Sequence, residues 1–211
     1  MLEADNLECV RGERRLFSGL SFGIGPGELV HLSGENGSGK TSLLRILCGL
    51  HTPSAGTVRW RGRSITATDD EYHRELVFIG HLNGIKDELT PLENLAIADT
   101  LAGAAPDEGQ LLGALGSCGV AACADLPARH LSQGQRRRVA LARLALSEAT
   151  PLWILDEPFN ALDTAAVAQV QALLVKHVLT GGMVILTSHL ELAIDGARVR
   201  QIDLDQQRRP A

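Results

Sequence analysis

The run Gly34-Glu35-Asn36-Gly37-Ser38-Gly39-Lys40-Thr41 constrains this chain more than any other feature. It fits G-x-x-x-x-G-K-[ST], whose glycines let the backbone curl until successive N–H groups point at phosphate oxygens. The residues before it, Glu28-Leu29-Val30-His31-Leu32-Ser33, read as a strand. Those after Gly39, with Leu43, Leu44, Ile46 and Leu47, read as a helix closing at Gly49. The positive end of that helix adds to the N–H cradle, so Gly34 to Thr41, continued by Ser42, is read as a triphosphate site. Lys40 is placed to reach the β- and γ-phosphates, and the Thr41 hydroxyl to hold Mg²⁺. Kinases, GTPases, ATPases and helicases all use such a loop, so the rest of the chain must decide between them.

The 211 residues suffice for one sizeable α/β domain and are too few for two full ones. A net charge of -5 weighs against a nucleic-acid partner. Cys9, Cys48, Cys118 and Cys123 lack metal-ligand spacing and read as small buried thiols in a reducing compartment. Glu3, Asp5 and Glu8 interrupt any signal-peptide core, and no apolar run reaches the ~20 residues that span a bilayer. A membrane role must therefore go through a partner.

Residues 2–9 read as a further strand, separated from 28–33 by the turn-prone Gly23-Ile24-Gly25-Pro26-Gly27. Strands are also expected at Thr57 to Trp60 and Leu76 to Ile79. From about Thr90 to Ser147, Leu, Ala and Gln recur at helical spacing and β-branched runs disappear. The expected division is a core of about 1–84 and 148–211 with a helical insertion of about 85–147. Strand texture returns at Leu152-Trp153-Ile154-Leu155 and at Met183-Val184-Ile185-Leu186-Thr187, with an amphipathic helix from Ala165 to Leu179 between them. Both strands are short and continuously apolar, as in the middle of a covered sheet. The tail Gln206 to Pro210 reads as frayed.

The strand Leu152 to Leu155 ends in Asp156 and Glu157. Ionised acids at the edge of a buried strand are costly unless a cation compensates them. Asp156 is therefore assigned to the metal and Glu157 to polarising the attacking water. His189 follows the next strand and is placed to reach the γ-phosphate. Arg136-Arg137-Arg138 on a helix would point in different directions and reads as a solvated or dimer-facing surface.

Leu131-Ser132-Gln133-Gly134-Gln135-Arg136 resembles the LSGGQ signature of the ATP-binding cassette (ABC) family. The phosphate loop before it and Leu155-Asp156-Glu157-Pro158 after it extend the resemblance along nearly the whole chain. Asn160-Ala161-Leu162-Asp163 resembles the family's D-loop and His189 its switch histidine. The resemblance implies an α/β P-loop NTPase (ABC ATPase) core with a small antiparallel β subdomain and an inserted helical subdomain. It also implies ATP and Mg²⁺ as ligands and a dimer in which Ser132, Gln133, Gly134 and Gln135 of a second copy face the nucleotide, with Asp163 at the interface. Gln133 departs from the usual glycine but leaves Ser132 and Gly134 intact. The aromatic that stacks on adenine in the family is Arg11 here, whose planar guanidinium can stack on a purine. His81 stands where the family's Q-loop glutamine is expected, with a reach to the metal shell or water that depends on protonation.

Within the family the match looks closest to the ATP-binding subunits of bacterial haem exporters of cytochrome c maturation. The supporting residues include Ile79-Gly80-His81, Gly84-Ile85-Lys86, Leu92-Glu93-Asn94-Leu95 and Trp153-Ile154-Leu155-Asp156-Glu157-Pro158-Phe159. That resemblance implies an integral-membrane permease partner of the CcmB/CcmC type and a peripheral position on the cytoplasmic face of the bacterial inner membrane. No CxxCH is present to read haem directly. Three other readings compete, the first being the ATPase subunit of another ABC transporter. A soluble ABC-type switch on ribosomes or chromosomes would carry two cassettes or a long coiled coil, and a small P-loop kinase would leave Leu131 to Arg136 unexplained.

Overall fold

The structure, a computed structural model, describes residues 1–66, 68–189 and 198–207. Five strands form one parallel sheet: β3 (Glu28–Ser33), β6 (Leu76–Ile79), β7 (Leu152–Leu155), β8 (Met183–Thr187) and β9 (Arg198–Asp203). Their order is β6-β7-β8-β3-β9. Every residue of β7 and β8 is buried, the signature of a strand covered on both faces.

Side chains alternate across a strand, so each central strand feeds two cores. Trp153, Leu155, Val184 and Leu186 face one core, shared with helices α3 (Pro91–Leu101), α4 (Glu108–Ser117), α5 (Gln133–Leu146) and α6 (Thr164–Leu179). Leu152, Ile154, Met183 and Ile185 face the other. There they meet Leu43, Leu44 and Leu47 of α1 (Lys40–Leu47) and Tyr72 of the short α2 (Asp70–Arg74). Full burial of one such leucine contributes about 1.5–3 kcal/mol.

A second, antiparallel sheet has the order β2-β1-β4-β5, from β1 (Leu2–Arg11), β2 (Arg14–Ile24), β4 (Ala55–Trp60) and β5 (Arg63–Ser64). Here the sequence expectation needs correcting. Gly23 and Ile24 belong to β2 and not to a turn, and the whole of β2 was unanticipated. Its pairing with β1 slips register between Ala4 and Leu7, Leu7 and Cys9, and Cys9 and Val10. These irregularities break the alternation by which a strand is recognised. β9 was missed for another reason: it lies at the edge of its sheet, and its residues, Arg198-Val199-Arg200-Gln201-Ile202-Asp203, are mostly exposed and polar.

The helices between β6 and β7 fall where helical spacing placed them. Cys9, Cys48 and Cys118 are buried, whereas Cys123 is half-buried. Gln206 and Gln207 close a 3₁₀ turn, Asp205–Gln207, and the rest of the expected frayed tail lies outside the described residues.

Candidate functional site

Because the central strands are parallel, their carboxyl ends open on one edge of the sheet, where open α/β folds bind ligands. The phosphate loop leaves β3 there, Asp156 and Glu157 leave β7, and His189 follows β8. They meet in a cleft of about 630 Å³ lined by Asn36, Gly37, Gly39, Lys40, Thr41, Ser42, Arg11, His81, Asp156, Glu157 and His189. Asn160, the first residue of the D-loop segment, also lines it, as do Arg14 and Leu16, which the sequence does not single out. Gly34, Glu35 and Ser38 belong to the loop without lining the cleft.

Gly39 makes the turn from loop to helix at φ +106°, where a Cβ would sit 3.1 Å from Leu16 and Phe17. Only glycine takes that conformation and that space without strain. No side chain caps α1, and its first turn carries no acid, so its leading N–H groups and positive end are left to face the cleft. Lys40 Nζ donates to the carbonyls of Gly34, at 2.6 Å, and Glu35, at 3.1 Å, which holds the ammonium over the loop. Glu35 N in turn donates to Asp205 Oδ2 at 2.6 Å, so the C-terminal turn braces the loop.

The two acids are held by hydroxyls. Thr41 Oγ1 donates to Asp156 Oδ2 at 2.8 Å, and Thr187 Oγ1 to Asp156 Oδ1 at 2.9 Å. Asp156 is 3 % exposed. A buried carboxylate against a hydroxyl at the helix start is a set of hard oxygen donors, which suits Mg²⁺. Thr187 Oγ1 also accepts from Glu157 N at 2.8 Å. Glu157 takes φ +49°, rare outside glycine, and its carboxylate lies 3.4 Å from His189 Nε2. The His189 side chain is 66 % exposed among the described residues, on the cleft side of Glu157.

Ser132, Gln133, Gly134 and Gln135 lie apart from this cleft, at the start of α5. Ser132 and Gln135 form a reciprocal capping box: Ser132 Oγ accepts from Gln135 N, and Gln135 Oε1 accepts from Ser132 N. A Cβ on Gly134 would stand 2.6 Å from the Ala161 carbonyl, so α5 and the segment before α6 touch backbone to backbone. Asp163 caps α6, accepting from Ala166 N, and Arg138 pairs with it; both contacts hold its carboxyl below the usual carboxylate range.

The arginine triplet points in different directions, as its helical spacing suggests, but its middle member is not at a solvated or dimer-facing surface. Arg137 is 4 % exposed, and Arg136 pairs with Asp87 at 2.7 Å. Asn94 is buried in the first turns of α3. Its side chain accepts from Lys86 N and donates to the carbonyls of Lys86, Leu89 and Thr90, which fixes the segment following His81. An asparagine one position past an N3 glutamate, Thr90-Pro91-Leu92-Glu93-Asn94, was the available signal.

A family model described as "ABC transporter" matches residues 17–160. A relative from Dechloromonas aromatica, "Cytochrome c biogenesis ATP-binding export protein CcmA", is 54 % identical over 204 residues, 97 % of this chain and 100 % of that protein. The protein of the same name from Escherichia coli K12 is 49 % identical over 99 % of this chain and 98 % of its own length. Among solved structures, the dimeric ATP-binding cassette MJ0796 bound to ADP and Pi superposes with a TM-score of 0.81 at 26 % identity, covering 97 % of this chain and 95 % of that one. On these matches and this geometry, the chain belongs to the ABC transporter family, as one of its ATP-hydrolysing cassettes.

Proposed function

We propose that this chain powers haem export for c-type cytochrome biogenesis, hydrolysing ATP for an integral-membrane permease of the CcmB/CcmC type. The relatives' names, cytochrome c biogenesis ATP-binding export proteins, support an export role in that pathway. Among the described residues no helix is long and apolar enough to cross a membrane, and a peripheral place on the cytoplasmic face of the inner membrane follows from such a partner. The division into a core of about 1–84 and 148–211 and a helical insertion of about 85–147 is supported by the run of helices α3, α4 and α5 between β6 and β7. That insertion and the His81 loop are the docking surface for the permease in this reading.

One observation carries the ATPase mechanism: Thr41, Asp156, Thr187 and Glu157 form a continuous hydrogen-bonded chain from the phosphate loop to the strand ends. The N–H groups of Gly34 to Thr41, with Ser42 behind them, bind the phosphates, and Lys40 swings from its carbonyl contacts onto the β- and γ-oxygens. Arg11 stacks on the base from the end of β1. Thr41 and Asp156 are the residues that hold Mg²⁺, whose charge neutralises the phosphate oxygens when it is bound. Glu157 orients the attacking water and accepts its proton, while His189 donates toward the γ-phosphate. His81 faces the same volume from the end of β6.

The chemistry is completed in trans. Ser132, Gln133, Gly134 and Gln135 of a second copy present the start of α5 to the γ-phosphate, and Asp163 lies at the shared boundary. A dimeric cassette with ADP and Pi bound supports this arrangement. The test is Glu157→Gln, which is expected to retain ATP binding and lose turnover; robust hydrolysis by that variant would sink the assignment.

A further inference from the structure

Three consecutive arginines at the start of α5 fan out by about 100° per residue and reach three different segments. Arg136 pairs with Asp87 in the loop after β6, and Arg138 pairs with Asp163 at the cap of α6. Arg137 turns inward. Its Nη2 donates to the carbonyls of Asp156 and Glu157, both at 2.8 Å, and its Nε to that of Pro158 at 3.3 Å. Its Nη1 donates to Gly80 O at 2.9 Å and to Asn83 Oδ1 at 3.1 Å.

Taking a guanidinium out of water costs several kcal/mol unless its donors are satisfied. None of the five acceptors is a carboxylate oxygen; four are backbone carbonyls. Arg137 thus recognises the path of two loops, those leaving β6 and β7, and its rigid fork is what lets one side chain span both. Burial lowers its proton affinity, and the nearby charges of Asp156 and Glu157 oppose that shift.

The consequence falls on Glu157. Its backbone is left-handed at φ +49°, with the N–H held by Thr187 of β8 and the carbonyl held by Arg137 of α5. The same guanidinium holds Gly80 and Asn83, which flank His81. We propose that Arg137 is a positioning residue that sets the Glu157 carboxylate for attack and ties it to the 80–83 segment, so that a displacement of that segment moves the base. This rests on the ATPase reading above.

The test uses the full chain with ATP and Mg²⁺, comparing wild type with Arg137→Gln, Arg137→Lys and Asn83→Ala for kcat, ATP Kd and Tm. Misplacement of a reacting group by a fraction of its contact distance costs up to roughly 100-fold in rate. Arg137→Gln is therefore expected to lower kcat by roughly 10- to 100-fold while ATP Kd stays within about twofold. Arg137→Lys, whose single ammonium cannot span both loops, should recover a minor part of kcat. Asn83→Ala, which removes only the contact on the β6 side, should lower kcat severalfold with Tm unchanged. Wild-type kcat in Arg137→Gln, or a loss of kcat matched by equal losses of ATP affinity and Tm, overturns the proposal. If Arg137→Gln does not fold, Asn83→Ala decides, and an unchanged kcat there overturns it. A wild-type chain that hydrolyses no ATP would instead refute the ATPase reading itself.

Discussion

Thr187 is the residue through which the account is most exposed to a quantitative test. It is fully buried, and its one hydroxyl serves both acids, donating to Asp156 Oδ1 and accepting from Glu157 N. Thr187→Val keeps the shape and removes the oxygen. A hydrogen bond to a charged group contributes about 1.5–3 kcal/mol, and a buried N–H left unpaired costs about 1–3 kcal/mol. Partial relaxation brings the expected loss to about 2–4 kcal/mol, a large share of the 5–15 kcal/mol typical of a domain. Urea unfolding should show it as a lowered midpoint at constant m, alongside a reduced kcat. Thr187→Ser keeps both hydrogen bonds and forfeits only a methyl group, so its loss should be nearer about 1 kcal/mol with kcat preserved. If Thr187→Val shifts stability by less than about 0.5 kcal/mol and leaves kcat at the wild-type value, the hydroxyl chain does not hold the acids and the reasoning fails.

Gly134→Ala places a Cβ 2.6 Å from the Ala161 carbonyl, so about 1–3 kcal/mol of stability and most turnover should be lost while ATP binding persists; equilibrium unfolding and a nucleotide titration check this. His177 is buried and stacked on Trp153 at 3.7 Å, and burial pulls its pKa from 6.5 down to about 4. A depressed histidine pKa means that the unfolded chain binds the proton more readily, so this contribution is complete above the unfolded value and is lost as pH falls toward the folded one. Between about pH 7 and about pH 4 as much as about 3 kcal/mol should disappear, and a Tm series in which His177→Phe shows the same acid slope as wild type would contradict it. Arg11→Ala should weaken ATP binding about two- to fivefold if the guanidinium stacks on the base, as read by calorimetry.

The residues that converge on the candidate cleft were legible in sequence because they sit on local patterns: a glycine-rich loop between strand and helix, and acids at the end of an apolar strand. The central strands were legible for the same reason, since β7 and β8 are continuous apolar runs. What escaped depended on distant partners. β2 hides its pattern behind register slips against β1, and β9 is an exposed edge strand that gains its form from pairing with β3. Arg137 reads locally as one of three charges on a polar helix; only the convergence of residues 80, 83, 156, 157 and 158 makes its burial sustainable. Ser132 and Gln135, like Asp107 and Gln110, form capping boxes three residues apart, and the one at Ser132 gives that serine a structural duty within its own chain.

The central claim is that one chain holds half of each site: Gly34 to Thr41, Asp156, Glu157 and His189 on one copy, Ser132 to Gln135 on the other. ATP turnover per chain, measured against chain concentration with mass determined in parallel, tests it most directly. Turnover should be poor in the dilute monomer and rise to a plateau as dimers form, while ATP binding per chain stays constant. Full turnover by a chain that remains monomeric at every concentration would contradict the account.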